Sequence, residues 1–482
     1  MTVRPVSLAH LLDDHPAHGA DLLLHDDTIE MRADDVRRAV LNVAESLRGL
    51  GVQSGQPVVM QLPNTVDAIV AMLAIWKAGA VFVPLNSRAP IGERDRVIHA
   101  LRPAAIIDES GPTLIEGEPQ VFEPGIAFVT WTSGTTGPPK AILHTHEGYY
   151  ELLDRVLTSI PRKNIDGESV SGPPNLVPVP IALNSGIYNT LFALRAGRGV
   201  VIMERFDAVR FATLVRRFAV KSTVLPPAAI AMLTALPPDI DLQPLKYVRS
   251  ITAPLSPVIA RAFYDRFGVF VLNSYGQAEV GEVVGWSASD AKQFPEKIGA
   301  AGRAHAGVDI KIVGENGHAL DLGHVGQLMV RPPKFAAGYA TGEDLGERFD
   351  GEGYLATGDL ASLDSEGFVW ISGRLGEVIV RGGNKVYPAE VEDVLRMSDG
   401  VADAAVFAVA DERLGELPVA AVVDADGEPT VSDEDLVALC RKHLVAYKVP
   451  AAFYRLTALP RNDIGKILRS ELRRNVEGEL AQ

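Results

Sequence analysis

The stretch Thr130-Trp131-Thr132-Ser133-Gly134-Thr135-Thr136-Gly137-Pro138-Pro139-Lys140, directly behind the apolar run Ile126 to Val129, has the residue types that hold a phosphate. Small residues let the backbone approach phosphate oxygens, hydroxyls and amide N–H groups donate to them, and Lys140 adds positive charge. The Gly-Lys-Ser/Thr ending of the nucleotide-hydrolase loop is missing, so this is not that loop. Taken alone, a Ser/Thr/Gly loop is more often a flexible hairpin turn. Further along stand Asn273-Ser274-Tyr275-Gly276-Gln277-Ala278-Glu279, Tyr354-Leu355-Ala356-Thr357-Gly358-Asp359, Gly373-Arg374 and Pro460-Arg461-Asn462-Asp463-Ile464-Gly465-Lys466-Ile467. Each has a plain reading by itself, as a turn, a solvated carboxylate or a surface cation.

Together, and in this order, these segments resemble the adenylate-forming superfamily of acyl-CoA synthetases, peptide-synthetase adenylation domains and firefly luciferase. The resemblance runs from about Trp76 to Lys466 and is closest in pattern to acyl-CoA synthetases. Trp76 to Asn86 is similar to the family's early helix-to-strand motif, to which only packing is assigned. The implied activity is an ATP-dependent acid–thiol ligase, which activates a carboxylic acid as an acyl-adenylate and then makes a CoA thioester. ATP, Mg²⁺ and coenzyme A are its implied cofactors and co-substrates.

The resemblance assigns Thr132, Ser133, Gly134, Thr135, Thr136, Gly137 and Lys140 to the phosphates, and Asn273, Ser274, Tyr275 and Gly276 to the adenine. The Tyr275 ring can stack on a purine, and Glu279 suits Mg²⁺, a hard cation that prefers carboxylate and phosphate oxygens. Asp359 is implied for the ribose hydroxyls, with Arg374 supporting it. Lys466 is the implied catalytic cation. A positive charge between carboxylate and α-phosphate lowers repulsion most where charge builds up in the transition state. Arg381, Gly382 and Gly383, within Arg381 to Glu392, are similar to the segment lining the thiol tunnel of acyl-CoA synthetases after their small domain rotates. Lys448 adds charge for the coenzyme's phosphates. The thiol itself needs little help, being partly ionised near neutral pH.

The pattern is not followed everywhere. Ala278 stands where the family usually has a hydroxyl residue that bonds the adenylate phosphate, and Gly376 stands at the hinge in place of Asp or Lys. The acid-binding candidates are Asn184, Ser185 and Gly186, joined by Thr252, Ala253 and Gln277. Pro178 to Tyr188 lacks the usual histidine or phenylalanine and any carboxylate for an α-amino group. An uncharged, fairly apolar acid is therefore expected, with Ala182, Ser185 and Gly186 leaving room for bulk. Two alternatives stay open: an enzyme performing mainly one half reaction or loading a carrier protein, and a non-catalytic nucleotide sensor. A carrier protein and a homodimer are open as partners.

Positioning these residues takes an α/β fold. A helical pattern at Ala33 to Leu50 leads to strand-like Pro57 to Leu62, helical Thr65 to Ala78 and strand-like Ala80 to Leu85, which reads as a layered body with a largely parallel sheet. Similar alternation returns between Gly199 and Leu272, where the strand Val269 to Leu272 precedes Asn273. After about Gly302, short alternating strands with Gly and Asp turns predict an antiparallel region. A small mobile α+β domain follows. The expected boundaries are 1–374 for the ATP- and acid-binding domain, 375–376 for the hinge and 377–482 for the lid.

The bulk numbers agree with this. The 482 residues exceed one ordinary core, and 47% hydrophobic with 22% charged residues is a globular composition. A formal net charge of -15 disfavours nucleic acid and anionic lipid as partners. Cys440 is the only cysteine, so no intrachain disulfide forms. Met1 to Leu12 does not read as a secretory signal, and Ala68 to Leu85 is broken by Lys77, Gly79 and Pro84 and does not read as a membrane span. A cytoplasmic location is expected.

Overall fold

Pro57–Met60 (β1) and Val81–Pro84 (β2) are buried along their whole lengths, as parallel strands covered on both faces must be. The helix between them, Val66–Ala78 (α1), is apolar nearly all round and equally covered. β2 runs parallel to β1 and to Ile126–Trp131 (β3). Ala141–Thr145 (β4) then returns antiparallel to β3 in a seven-stranded sheet. The sheet is thus mixed where a largely parallel one was expected. The link from β3 to β4 is too short for the helical crossover that a parallel partner requires. The computed structural model describes residues 6–131, 140–158, 172–251, 253, 255–340, 342, 345–425, 427, 429–461 and 466–480, the last four of these by backbone alone.

The helices His146–Thr158 (α2) and Asn184–Arg195 (α3) follow. In a second sheet, Ser222–Leu225, Tyr247–Ser250 (β5) and Phe270–Gln277 (β6) are parallel. The sequence predicts a strand ending at Leu272, but β6 runs on to Gln277. Gly281–Gly285 (β7) folds back along it and supplies a second ladder, from Ser274 opposite Gly285 to Gln277 opposite Gly281. The nucleotide segment is therefore part of a strand, with side chains alternating between its faces.

Beyond Gly302 the antiparallel expectation holds. Asp309–Val313 (β8), Gly326–Arg331 (β9), Leu355–Leu363 (β10) and Val369–Arg374 (β11) are successive antiparallel neighbours. A 3₁₀ turn, Leu375–Glu377, leads into the hairpin of Ile379–Arg381 (β12) and Asn384–Val386 (β13). The helix Pro388–Leu395 (α4), the paired strands Val401–Asp411 and Gly415–Asp424, and the helices Asp433–His443 and Arg469–Leu480 complete the chain. Ile379, Val391, Val406, Ala420 and Leu436 form a core of their own here. Lys385 Nζ, 2.6 Å from Glu315 Oε1, ties this part to the larger body. Among the described residues no helix is long and apolar enough to cross a membrane.

Candidate active site

Asp359 on β10 lies directly opposite Arg374 on β11, and a cross-strand pair of opposite charge follows from that register. Arg374 Nε donates to Asp359 Oδ1 at 3.0 Å. The other carboxylate oxygen accepts from the Tyr275 hydroxyl at 2.6 Å and from Gln277 Nε2 at 2.8 Å. Tyr275 and Gln277 reach the same carboxylate because they are two residues apart on β6. Burial, and then the Asp359 charge, push the Tyr275 phenol well above its ordinary pKa, so it donates as a neutral hydroxyl. Gly276 between them is required by space, since a Cβ there would lie 2.1 Å from the Gly281 carbonyl oxygen.

The network continues toward Glu279 through Arg348. Its Nη2 donates to Gln277 Oε1 at 3.0 Å and its Nη1 to Glu279 Oε1 at 2.7 Å, while Nε and Nη2 hold the Ala356 carbonyl. Burial opposes the Arg348 charge, but Glu279 and Tyr339 more than offset this and hold its pKa above the ordinary value. The Tyr339 hydroxyl also donates to Glu279, at 3.1 Å, and Lys140 Nζ sits 5.0 Å from the Tyr339 ring centre. A continuous chain, Arg374–Asp359–Gln277–Arg348–Glu279, thus joins the expected ribose and phosphate ends. Asn273 and Ser274 lie at the start of the same segment, where the Ser274 hydroxyl donates to the Ser250 carbonyl at 3.1 Å.

Lys466 is held half-buried beside this chain. Burial first, and then repulsion from Arg374, lower its pKa, with Glu377 and Asp359 opposing part of the shift. Next to it Arg469 is fixed by Glu392 at 2.6 Å and Glu377 at 3.1 Å. Of the other expected residues, Thr132, Ser133, Gly134, Thr135, Thr136, Gly137 and Thr252 lie outside the described residues.

On the acid side, Asn184 Oδ1 accepts from the Tyr149 hydroxyl at 2.8 Å. Asn184, Tyr149, Arg155, Ala278, Glu279 and Lys334 are among the walls of a half-open cleft of about 360 Å³, mouth included. Gly186 does not leave room for bulk as expected, because a Cβ on it would sit 2.0 Å from the Pro180 carbonyl oxygen and the backbone already fills that space. Gln277, expected at the acid, is bonded to Asp359 and Arg348. Among the described residues no hydrogen bond ties Ala253 to the site.

Gly382 and Gly383 form the β12–β13 turn with φ of 55° and 83°, the left-handed pair that a tight two-residue hairpin needs. Arg381 Nη1 donates to the Tyr447 carbonyl at 2.9 Å, and Lys448 Nζ is paired with Glu390 at 2.6 Å. Both cations are thus engaged within the small domain. Gly376 lies in the 3₁₀ turn, where a Cβ would meet nothing within 4 Å.

Glu279 Oε1 is taken by Arg348 and Tyr339, which leaves its Oε2 as the oxygen that would meet a magnesium ion. Mg²⁺ is ordinarily held by one or two carboxylates together with substrate phosphates and water, and no cluster of three candidate metal ligands exists among the described residues. Sequence reasoning missed Arg348 and Tyr339, which belong to no recognisable spacing. The place of Gln277 follows from strand alternation with Tyr275, which needs the strand to run past Leu272.

Residues 14–124 and 117–340 match the family described as AMP-binding enzyme, and residues 390–466 match the AMP-binding enzyme C-terminal domain. Feruloyl-CoA synthase of an Amycolatopsis species is 30% identical over 466 residues, covering 91% of this chain and 93% of that protein. Indoleacetate–CoA ligase of Aromatoleum aromaticum is 29% identical over 490 residues, with 91% of each chain covered. Among solved structures, the amide bond synthetase McbA of Marinactinospora thermotolerans superposes with a TM-score of 0.85 at 26% identity, over 97% of this chain and 99% of that one.

Proposed function

The chain belongs to the AMP-binding enzyme family and is an AMP-forming acid–thiol ligase; on that premise we propose which residues carry each step and what kind of acid is used. The acid carboxylate attacks the α-phosphorus of ATP, the bond to pyrophosphate breaks, and an acyl-adenylate forms. The CoA thiol then attacks the acyl carbonyl, its proton passes to solvent, and AMP leaves with the electron pair of the cleaved bond. Asp359 takes the ribose hydroxyls, held in place by Arg374, Tyr275 and Gln277. Lys466 and Lys140 supply positive charge to the phosphates, and Glu279 would hold Mg²⁺, which neutralises phosphate charge when bound. The Gly382–Gly383 turn, with Arg381 and Lys448, meets coenzyme A after the small domain rotates about Gly376.

The acid carries no second charge and has a largely apolar body, since the segment Pro178 to Tyr188 offers it no ionised side chain. We place the enzyme in the cytoplasm, where its single cysteine, buried Cys440, stays reduced.

The observation that carries this reading is the position of Lys466 within the charge field of Asp359 and Arg374. A C-terminal lysine brought into the buried nucleotide site has a use in adenylation that a solvent-facing one lacks. The test is a panel of carboxylic acids with ATP and coenzyme A, followed by mass. AMP and an acyl-CoA are expected in equal amounts, whereas ADP, or AMP without thioester, contradicts the ligase reading.

A further inference from the structure

Lys466 belongs to a short loop whose two ends are both anchored to the small domain. Arg461 and Ile467 form an antiparallel bridge across that loop, and the Leu468 amide donates to the Pro460 carbonyl at 2.9 Å. On one side of the bridge, Arg461 Nη2 lies 2.5 Å from Asp403 Oδ2. On the other, three residues beyond Lys466, the Arg469 guanidinium spends its donors on three different elements. Its Nε donates to the Val406 carbonyl at 3.1 Å, its Nη2 to Glu392 of α4 at 2.6 Å, and its Nη1 to Glu377 at 3.1 Å.

The two carboxylates on Arg469 are not equivalent. Glu392 is 4% exposed, and its Oε1 also accepts from the Val406 amide at 2.8 Å, so it closes the link between α4 and the strand Val401–Asp411. A carboxylate buried this deeply needs a cation beside it. Glu377 is placed differently: its side chain is 23% exposed, and it lies in the 3₁₀ turn that follows β11, three residues from Arg374. With Glu392 already matched to Arg469, the Glu377 charge is left over, and Lys466 lies in its field. The charged groups around Lys466 are Arg374 from β11 and Arg469 from the last helix, which oppose its charge, and Glu377 and Asp359, which favour it.

We propose that Glu377 is a positioning residue for Lys466: through Arg469 it ties the loop that carries Lys466 to the end of the strand that carries Arg374, and its carboxylate supplies the charge opposite which the lysine ammonium settles. The inference rests on the adenylation role proposed for Lys466. A cation that must bridge a carboxylate and an α-phosphate gains most when it is held in place before they arrive. The carboxylate also favours the charged form of the neighbouring amine, so its removal lowers the pH at which Lys466 loses its proton.

The two half reactions of the full-length protein test this, each followed at single turnover across pH with the best acid of the panel. In Glu377→Gln the alkaline limit of adenylation is expected at least about half a pH unit below that of the wild type, while the pH profile of thiol transfer from supplied acyl-adenylate stays in place. Glu377→Asp, which keeps the charge, is expected to restore most of the difference. Glu377→Ser stands in if Glu377→Gln melts early, since it too removes the charge. An adenylation limit unmoved without the charge, or both profiles displaced alike, overturns the proposal. If Lys466→Arg leaves the wild-type limit where it is, or no acid is adenylated, the role of Lys466 fails by itself. Glu377 is then read from competitive labelling with acetic anhydride across pH, measured at the Lys466 peptide by mass spectrometry. The midpoint at Lys466 is expected to be lower in Glu377→Gln, and equal midpoints overturn the proposal.

Discussion

Lys466 differs from an ordinary surface lysine in two linked ways, its burial and the resulting loss of preference for the charged form. On the role proposed for Lys466 the charged form is the one that serves adenylation, and its lowered pKa would then set the alkaline limit of that step. Activity in the first half reaction should hold through neutral pH and fall as pH rises through the lowered value, below the ordinary lysine range. Lys466→Arg should move this limb upward, since a guanidinium keeps its proton. Lys466→Ala should cost roughly 3–4 kcal/mol in adenylation, on the order of a hundred- to a thousand-fold in rate, while transfer from supplied acyl-adenylate is largely kept. Single-turnover rates for each half reaction measure this, and equal loss in both contradicts the role. Arg348 acts at one remove, through Gln277 and Glu279. Arg348→Met should weaken adenosine binding by roughly 1–2 kcal/mol, the scale of one broken charged hydrogen bond, although Arg348 is expected to touch no part of adenosine. Calorimetry with adenosine checks this, and an unchanged affinity would mean that Gln277 holds Asp359 without help.

At the scale of elements, the decisive feature is β6 and the strand that folds back on it. The sequence made the apolar start of β6 plain, because Val269 to Leu272 has no polar residue to interrupt it. It did not make plain that Asn273 to Gln277 continues the strand, since polar and glycine residues there favour a turn by local preference. What holds them extended is the ladder to β7, a tertiary contact that no local pattern announces. The consequence is chemical. Strand alternation sends Tyr275 and Gln277 to Asp359, so the Gln277 amide is engaged in the nucleotide network. Arg374 was legible as a partner for Asp359, whereas Arg348 becomes visible only when the fold brings it to Gln277 and Glu279. Gly276→Ala places a methyl group against the Gly281 backbone, which a side-chain shift does not relieve. The β6–β7 ladder should then part and nucleotide affinity fall by at least about tenfold, on the scale of an overpacked site. AMP titration together with a melting curve reads it, and normal AMP binding at an unchanged melting temperature would show that the ladder tolerates the change.

For the whole molecule, the order of motifs and the alternation of helical and strand-like patterns along the chain were enough to read a large α/β body followed by a small α+β part. The mixed sheet was not legible, since strand direction depends on whether a loop is long enough to cross over. The arrangement described has Lys466 in the nucleotide site and the Gly382–Gly383 turn at the surface. On the proposed roles it suits the first half reaction, and thiol transfer would follow a rotation of the small domain. Ala278 and Gly376 are the two departures that bear on this balance, one by withdrawing a hydroxyl from the phosphate and the other by loosening the backbone between the two parts. The central claim, that acid and ATP join through an acyl-adenylate before the thiol reacts, is tested most directly by isotope transfer. The best acid from the panel, labelled with ¹⁸O in its carboxylate, is turned over with ATP and coenzyme A, and the AMP is weighed by mass spectrometry. Attack of the carboxylate on the α-phosphorus predicts one ¹⁸O in each AMP released. AMP without label, or label that appears in ADP or free phosphate, would contradict it.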